Sequence, residues 1–277
     1  MLVGTAAAAT PLEQLSWLAF ALALAVALLL QVAVNYANDY FDGVKGVDTA
    51  ERTGPRRAVA AGLIAPAAMK RAIAVTMALA ASAGLALAAL VGWELLLVGV
   101  AALLATLGYS GGSKPYASAA LGEAMVFLFF GVVATVGSAY VQDAGVTLLP
   151  VLASVPIGAL ATALLVVNNL RDIPTDAVAG KDTLAVRLGE ARTRRLFDVL
   201  VGVSLLAAPG LALVAGEVWL VAPVLAAVVL LPAVRVVRRA PLGPQLIAAL
   251  EATAKGQLLY AILLTIALVV TGTGGTP

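Results

Sequence analysis

The sequence predicts an all-α, polytopic membrane protein, and two observations carry that expectation. The chain of 277 residues is 62% hydrophobic and only 12% charged, whereas soluble domains are roughly a quarter charged. Its apolar residues also run without interruption, in charge-free stretches at 14–38, 72–93, 95–113, 124–142, 144–170, 199–216, 218–234 and 256–277. Each is near or above the roughly 17–25 residues that cross a bilayer as a helix. Lipid offers the backbone no hydrogen-bond partners, so such runs fold as helices, in a single domain over 1–277.

The elements follow in order. Leu2–Ala9 is too short to cross a membrane and has no basic residues ahead of it, so it is not a signal peptide. It reads as the tail of a first helix that is apparently truncated, which gives nine helices with the N-terminus inside. The second helix runs into an Asn- and Asp-rich end, with Gly43 and Gly46 available to stop it. Gly84, Gly99, Gly131 and Gly137 lie within the third to fifth helices, where small residues let helices approach. Pro150 and Pro156 start or kink the sixth, and Pro174 stops it, which places Asp176 in the following loop. In the ninth, Lys255 stands four residues after Glu251 and pairs with it on a helix face. Trp17, Trp93 and Trp219 fall near segment ends, as interfacial anchors do.

The net charge is only +2, but the seventeen basic residues are sorted along the chain. Lys45, Arg52, Arg56, Arg57, Lys70 and Arg71 lie between the second and third segments, and Lys114 between the fourth and fifth. Arg171, Lys181, Arg187, Arg192, Arg194 and Arg195 lie between the sixth and seventh, and Arg235, Arg238 and Arg239 between the eighth and ninth. The alternate connections, around Glu13, Glu94, Asp143 and Glu217, hold none. The positive-inside rule therefore places the basic loops in the cytoplasm of a multi-pass cell-membrane protein. The absence of Cys excludes a disulfide framework and thiolate metal sites; the absence of His removes the usual general base and zinc ligand. With 5% aromatic residues and basic loops explained by topology, no nucleic-acid partner is expected.

Two clusters carry the chemistry. Asn35, Asn38, Asp39 and Asp42 fall at i, i+3, i+4 and i+7, one polar stripe on a helix. Acids in a last helical turn oppose the macrodipole by about 0.3–1 kcal/mol each, and two of them about 4 Å apart repel by ~4 kcal/mol at an effective dielectric of 20. Asn168, Asp172 and Asp176 repeat the arrangement, so two related halves facing one cavity are expected. Solvated helix ends paired with nearby bases are the plainer alternative; the repetition weighs against it. All-oxygen donors without His or Cys favour Mg²⁺, and the interleaved Lys45, Arg52, Arg56, Arg57, Arg171 and Lys181 suit phosphate oxygens. Acids for metal and bases for phosphate describe a diphosphate site, beside a hydrophobic body suited to a lipid tail.

These residues carry a resemblance. Asn38-Asp39-Tyr40-Phe41-Asp42, with Asp48 beyond it, and Asp172-Ile173-Pro174-Thr175-Asp176 resemble the two aspartate-rich motifs of the UbiA superfamily of intramembrane prenyltransferases. Arg52-Thr53-Gly54-Pro55-Arg56, Tyr109-Ser110-Gly111-Gly112-Ser113-Lys114-Pro115-Tyr116, Leu121-Gly122-Glu123, Asn168-Asn169-Leu170-Arg171-Asp172 and Gly180-Lys181-Asp182-Thr183 extend the likeness, in order, over nearly the whole chain. Within the superfamily it is greatest to the 1,4-dihydroxy-2-naphthoate prenyltransferases of menaquinone synthesis, although Asp48 lies six residues after Asp42, where the commoner motif has four.

The resemblance implies a nine-helix UbiA-type bundle that joins polyprenyl diphosphate to 1,4-dihydroxy-2-naphthoate with loss of the ring carboxylate. It implies two Mg²⁺ held by Asp39, Asp42, Asp172 and Asp176, with Asn38 and Asp48 as further ligands, and a diphosphate held by Lys45, Arg52, Arg56 and Lys181. Tyr109 is the candidate for stabilising the prenyl cation, though an interfacial belt Tyr would occupy the same place. Lys114, Arg171, Asn168 and Asn169 are the candidates for the aromatic acceptor, with Lys114 and Arg171 equally readable as topology signals. Other aromatic acceptors and a cation-coupled transporter stay open as alternatives. A CDP-alcohol phosphotransferase does not, because Gly46-Val47 stands where its signature has Ala-Arg.

Overall fold

The structure, a computed structural model, describes residues 1–44, 57–112 and 115–272. Among these residues all regular structure is helical. In chain order the helices are α1 (Leu2–Ala6), α2 (Trp17–Val44), α3 (Pro66–Val91), α4 (Leu95–Gly108), α5 (Gly122–Asp143), α6 (Leu148–Val178), α7 (Leu184–Ala215), α8 (Val218–Arg239) and α9 (Pro244–Thr271). All but α1 and α4 are long and apolar enough to cross a membrane. The 14 residues of α4 rise only about 21 Å at 1.5 Å per residue. The apolar run thus outlasts its helix, which ends where the Tyr109 N–H reaches the Ala105 carbonyl at 3.0 Å.

The sixth helix corrects a sequence expectation. Pro174 does not stop α6, which passes both Pro156 and Pro174 and runs to Val178. A proline leaves one carbonyl without its N–H and crowds the preceding turn, but the turns beyond it close: Ala179 N–H donates to Thr175 at 3.0 Å and Lys181 N–H to Asp176 at 2.9 Å. Asp176 therefore stands on the helix rather than in a loop. The next helix also starts early, at Leu184, capped by the Thr183 hydroxyl and broken once at Gly189, whose φ of 72° suits glycine.

Helices α2 and α3 pack along each other, as do α6 and α7, so each acid-bearing helix opens a helical pair. Between α6 and α9 lies a dense core that includes Leu160, Leu170, Phe197, Leu220, Leu230 and Tyr260, all fully buried. Helices α2 to α5 instead surround open space, together with one side of α6 and of α9. Of the four glycines expected to let helices approach, Gly131 does so: a Cβ there would meet the Gly158 backbone at 2.5 Å. It sits in the widened π-helical turn Phe127–Val133 of α5. Gly84, Gly99 and Gly137 do otherwise. A Cβ at Gly99 or Gly137 would meet nothing within 4 Å, and all three line a cavity.

The end of the bundle away from the acids is tied by Asp143, which accepts from Ala9 N–H at 2.8 Å, Thr10 N–H at 2.9 Å and the Thr10 hydroxyl at 2.7 Å. Trp17, Trp93 and Trp219 are all exposed at helix ends. The expected pair of Glu251 and Lys255 forms on α9, at 3.9 Å.

Candidate active site

The polar stripe of α2 is met from three directions. Asn38 accepts a short hydrogen bond from the Ser110 hydroxyl, just beyond α4. Both oxygens of Asp39 accept backbone N–H groups, Oδ2 from Ala58 and Oδ1 from Val59, each at 2.8 Å. This carboxylate thereby fastens the turn that leads to α3. Asp42 Oδ2 accepts from Lys181 Nζ at 3.1 Å, which joins the α2 end to the segment after α6.

The α6 end is more self-contained. Its helical course past Pro174 puts Asn168, Asp172 and Asp176 at i, i+4 and i+8, on one face. Arg171, only 7% exposed, makes a two-pronged contact with Asp172: Nε donates to Oδ1 at 2.7 Å and Nη2 to Oδ2 at 2.6 Å. Nη2 also donates to Asn168 Oδ1 at 2.9 Å. Paired guanidinium and carboxylate forks give charge-assisted bonds of this kind. Asp176 lies within electrostatic reach of Lys181, Asp172, Asp42 and Arg171, so the two helix ends form one charged cluster.

A cavity of about 740 Å³ leads away from that cluster. Its head is polar, with Asn35, Asn38, Tyr109, Tyr116 and Asn168; its body is apolar, past Gly84, Gly99 and Gly137 to Leu87, Leu95 and Val141. The Tyr109 and Tyr116 rings meet edge to face, with centroids 5.4 Å apart. Burial, followed by the negative charges of Glu123 and Asp42, pushes the half-buried Tyr109 phenol up to about 12, against the opposing charge of Arg57. Tyr109 is therefore a neutral hydroxyl and an aromatic face throughout the ordinary pH range.

Of the residues expected from sequence, Asn38, Asp39, Asp42, Tyr109, Asn168, Asn169, Arg171, Asp172, Asp176 and Lys181 all stand at this end of the bundle. Lys45, Asp48, Arg52, Arg56 and Lys114 lie outside the described residues. Among the described residues no three acids converge closely enough to cage a metal by themselves. The donors at the two helix ends are oxygens alone, which suits Mg²⁺, an ion that typically takes one or two carboxylates together with water and substrate phosphates. The sequence motifs included Ser110 and Glu123 but assigned them no role; Glu123 is only 6% exposed and accepts through Oε1 from the Asn169 amide at 2.9 Å. The available signal was an acid at the very start of an apolar run.

A cavity with a polar head beside the charged helix ends and a largely apolar body, in a bundle of helices long and apolar enough to cross a membrane, defines a multi-pass membrane protein with an internal binding site. The chain belongs to the UbiA prenyltransferase family, whose pattern matches residues 1–245. Over 95% of its length and 88% of the relative's, it is 44% identical to a 1,4-dihydroxy-2-naphthoate octaprenyltransferase of Mycobacterium tuberculosis. Its fold is similar to that of a digeranylgeranylglyceryl phosphate synthase, with a TM-score of 0.66 at 15% identity over 97% of this chain and 91% of the other. It is equally similar to a UbiA homolog from Archaeoglobus fulgidus bound to DMAPP and Mg²⁺, with a TM-score of 0.65 at 18% identity over 97% and 93%.

Proposed function

We propose that the protein transfers a polyprenyl group from polyprenyl diphosphate to 1,4-dihydroxy-2-naphthoate, with Mg²⁺, giving demethylmenaquinol, which a separate two-electron oxidant converts to demethylmenaquinone, in menaquinone biosynthesis. The observation that carries the reading is the junction of an apolar cavity with the charged ends of α2 and α6. The name of the Mycobacterium tuberculosis relative supports the acceptor, and the homolog bound to DMAPP and Mg²⁺ supports the donor and the metal.

Asp39, Asp42, Asp172 and Asp176 are the proposed ligands of two Mg²⁺, with Asn38 and Asp48 as further proposed ligands. A carboxylate oxygen that accepts one N–H keeps a second lone pair, so the role of Asp39 in the turn leaves it able to bind metal. Bound Mg²⁺ supplies neutralisation of the diphosphate as a leaving group. Lys181, with Lys45, Arg52 and Arg56, holds diphosphate oxygens. Lys114, Arg171, Asn168 and Asn169 are the proposed acceptor-binding residues, Arg171 as a charge held by Asp172.

The C1–O bond of the donor breaks with its electron pair leaving on the diphosphate. The allylic cation then lies at the cavity head, where the Tyr109 ring stabilises it by a cation–π interaction and the apolar walls restrict water. The electron-rich ring attacks C1, and loss of the carboxylate as CO₂ returns an electron pair to the ring, so the prenyl group replaces CO₂. This reading puts the site on the cytoplasmic side of the cell membrane, which the sorting of the basic loops supports.

The test is to supply the purified chain in lipid vesicles with Mg²⁺, a polyprenyl diphosphate and a panel of aromatic acids, and to identify products by mass. A prenylated, decarboxylated naphthalenediol is expected. No product with any acceptor rejects prenyl transfer; product with 4-hydroxybenzoate but not with the naphthoate rejects the acceptor.

A further inference from the structure

The start of α7 and the end of α8 carry a second group of charges, to which the reaction above gives no task and none of which lines the cavity. The two helices pack against each other. Arg194 pins them at this end, its guanidinium donating to the Val237 carbonyl and, at 2.7 Å, to the Ala240 carbonyl. One turn further along α7, Asp198 accepts from Arg238 Nε at 2.9 Å. These contacts fix the seam between the helices and, with it, the way the neighbouring residues face.

Arg195 stands about 60° from Asp198 around α7, on the side away from the buried Phe197 and Val201. Arg235 stands about 60° from Arg238 around α8, again away from the buried Leu230 and Val237. The helices run in opposite directions, so the two arginines flank the seam on its outer side. Both are exposed, and neither has a hydrogen-bond or ion-pair partner among the described residues. Arg235 lies four residues before the end of α8, about 6 Å inside it, where an unpaired charge in a membrane is costly.

Below the arginines the same outer faces turn apolar, with Val199 and Leu206 on α7 and Val228 and Leu231 on α8 all exposed. Gly202, one turn beyond Asp198 and on the Arg195 side of the seam, has no atom within 4 Å of where a Cβ would stand, which leaves the seam grooved there. The sorting of bases along the chain accounts for cations at this end of the helices. It does not account for two unpaired ones on either side of a groove that leads into an apolar face.

We propose that the seam of α7 and α8 binds one anionic phospholipid, its phosphate between Arg195 and Arg235 and one acyl chain along the groove at Gly202. Guanidinium groups suit phosphate oxygens, and basic pockets between membrane helices take anionic head groups. Asp198 does not repel the phosphate, because Arg238 neutralises it and leaves the charges of Arg195 and Arg235 uncancelled.

The full chain in mixed micelles of detergent and phosphatidylcholine should retain one added phosphatidylglycerol in native mass spectrometry, and its Tm should rise by about 5 °C. Inorganic phosphate should not displace the lipid. The double variant Arg195→Gln with Arg235→Gln should bind it about 30-fold more weakly, the scale of two basic residues beside an anionic head group. Gly202→Leu, with every charge kept, should bind it about 10-fold more weakly, the loss of about two buried methylenes. Lys70→Gln with Arg71→Gln, which removes the same charge from exposed positions on α3, should bind it as the wild type does.

Wild-type binding by the double arginine variant or by Gly202→Leu overturns the proposal. So does displacement by inorganic phosphate, retention of phosphatidylcholine as readily as phosphatidylglycerol, or an equal loss in the α3 variant, which would mean diffuse attraction to charge. If the double arginine variant does not fold, the single variants decide: a loss of about 5-fold in each supports the site, and wild-type binding in both overturns it.

Discussion

The two acid-bearing helix ends read alike in sequence but hold their charges by different means. At the end of α2 the partners come from elsewhere: backbone amides of Ala58 and Val59 for Asp39, and Lys181 for Asp42. At the end of α6 they come from the same helix, since Arg171 grips both Asp172 and Asn168. Burial follows the same division, with 67% of the most apolar part of α6 buried inside the protein against 17% for α2. A helix buried among others must neutralise its own charges. One at the edge of the bundle receives its partners only when the loops and the second half close on it.

The largest test of that contrast is to remove one acid from each end. Asp42→Ala and Asp172→Ala should each lower turnover about 1,000-fold, the scale of losing a preorganised charge partner, but they should part on stability. Asp172→Ala strands the Arg171 guanidinium, whose side chain is 6% exposed, at a cost of about 3–5 kcal/mol. Asp42→Ala frees Lys181, with a side chain 24% exposed, at a cost of about 1 kcal/mol or less. Denaturant melts in detergent separate the two; equal destabilisation would erase the contrast.

Asp39→Ala sharpens it from the other side. Two N–H groups lose a charged acceptor, which should cost about 2 kcal/mol and quicken proteolysis at the turn around Ala58, with no change at the α6 end. Unchanged cleavage there would mean that Asp39 does not fasten the turn.

A third comparison sets tight glycines against spacious ones. Gly131→Leu drives a side chain into Gly158 and should cost about 1–3 kcal/mol or more. Gly99→Leu and Gly137→Leu should fold normally and shift preference toward shorter prenyl diphosphates, read by competing donors of two lengths and weighing the products. An unshifted length profile would remove these glycines from the cavity wall.

The smallest effect is that of pH. Burial raises Tyr109 to about 12 and Tyr116 to about 12, and an unfolded phenol ionises near 10. Their stabilising contribution is thus whole below about pH 10 and is lost as pH rises toward 12. Turnover should show no step from tyrosine ionisation between pH 7 and 9; one that vanished in Tyr109→Phe would contradict this.

Much of the fold was legible because apolar runs and sorted bases are local signals. They gave the order of the helices and the α2 stripe. The continuation of α6 past Pro174 was not, because packing of a central helix outweighed a proline. The glycines of α3 to α5 read alike in sequence, yet Gly131 touches another helix while Gly84, Gly99 and Gly137 leave space. Nor could spacing reveal that Asp39 caps a turn or that Glu123 is buried, since both depend on partners distant in the chain.

The central claim is that both helix ends build one Mg²⁺-diphosphate site, and calorimetry with a non-ionising thiolo analogue of the donor tests it most directly. The wild type should bind one equivalent tightly with Mg²⁺ and weakly after chelation. Asp42→Ala and Asp172→Ala should each abolish the Mg²⁺-dependent part, and the double variant should be no worse than either. Independent losses that add in the double variant, or two equivalents bound with each variant removing one, would contradict the claim.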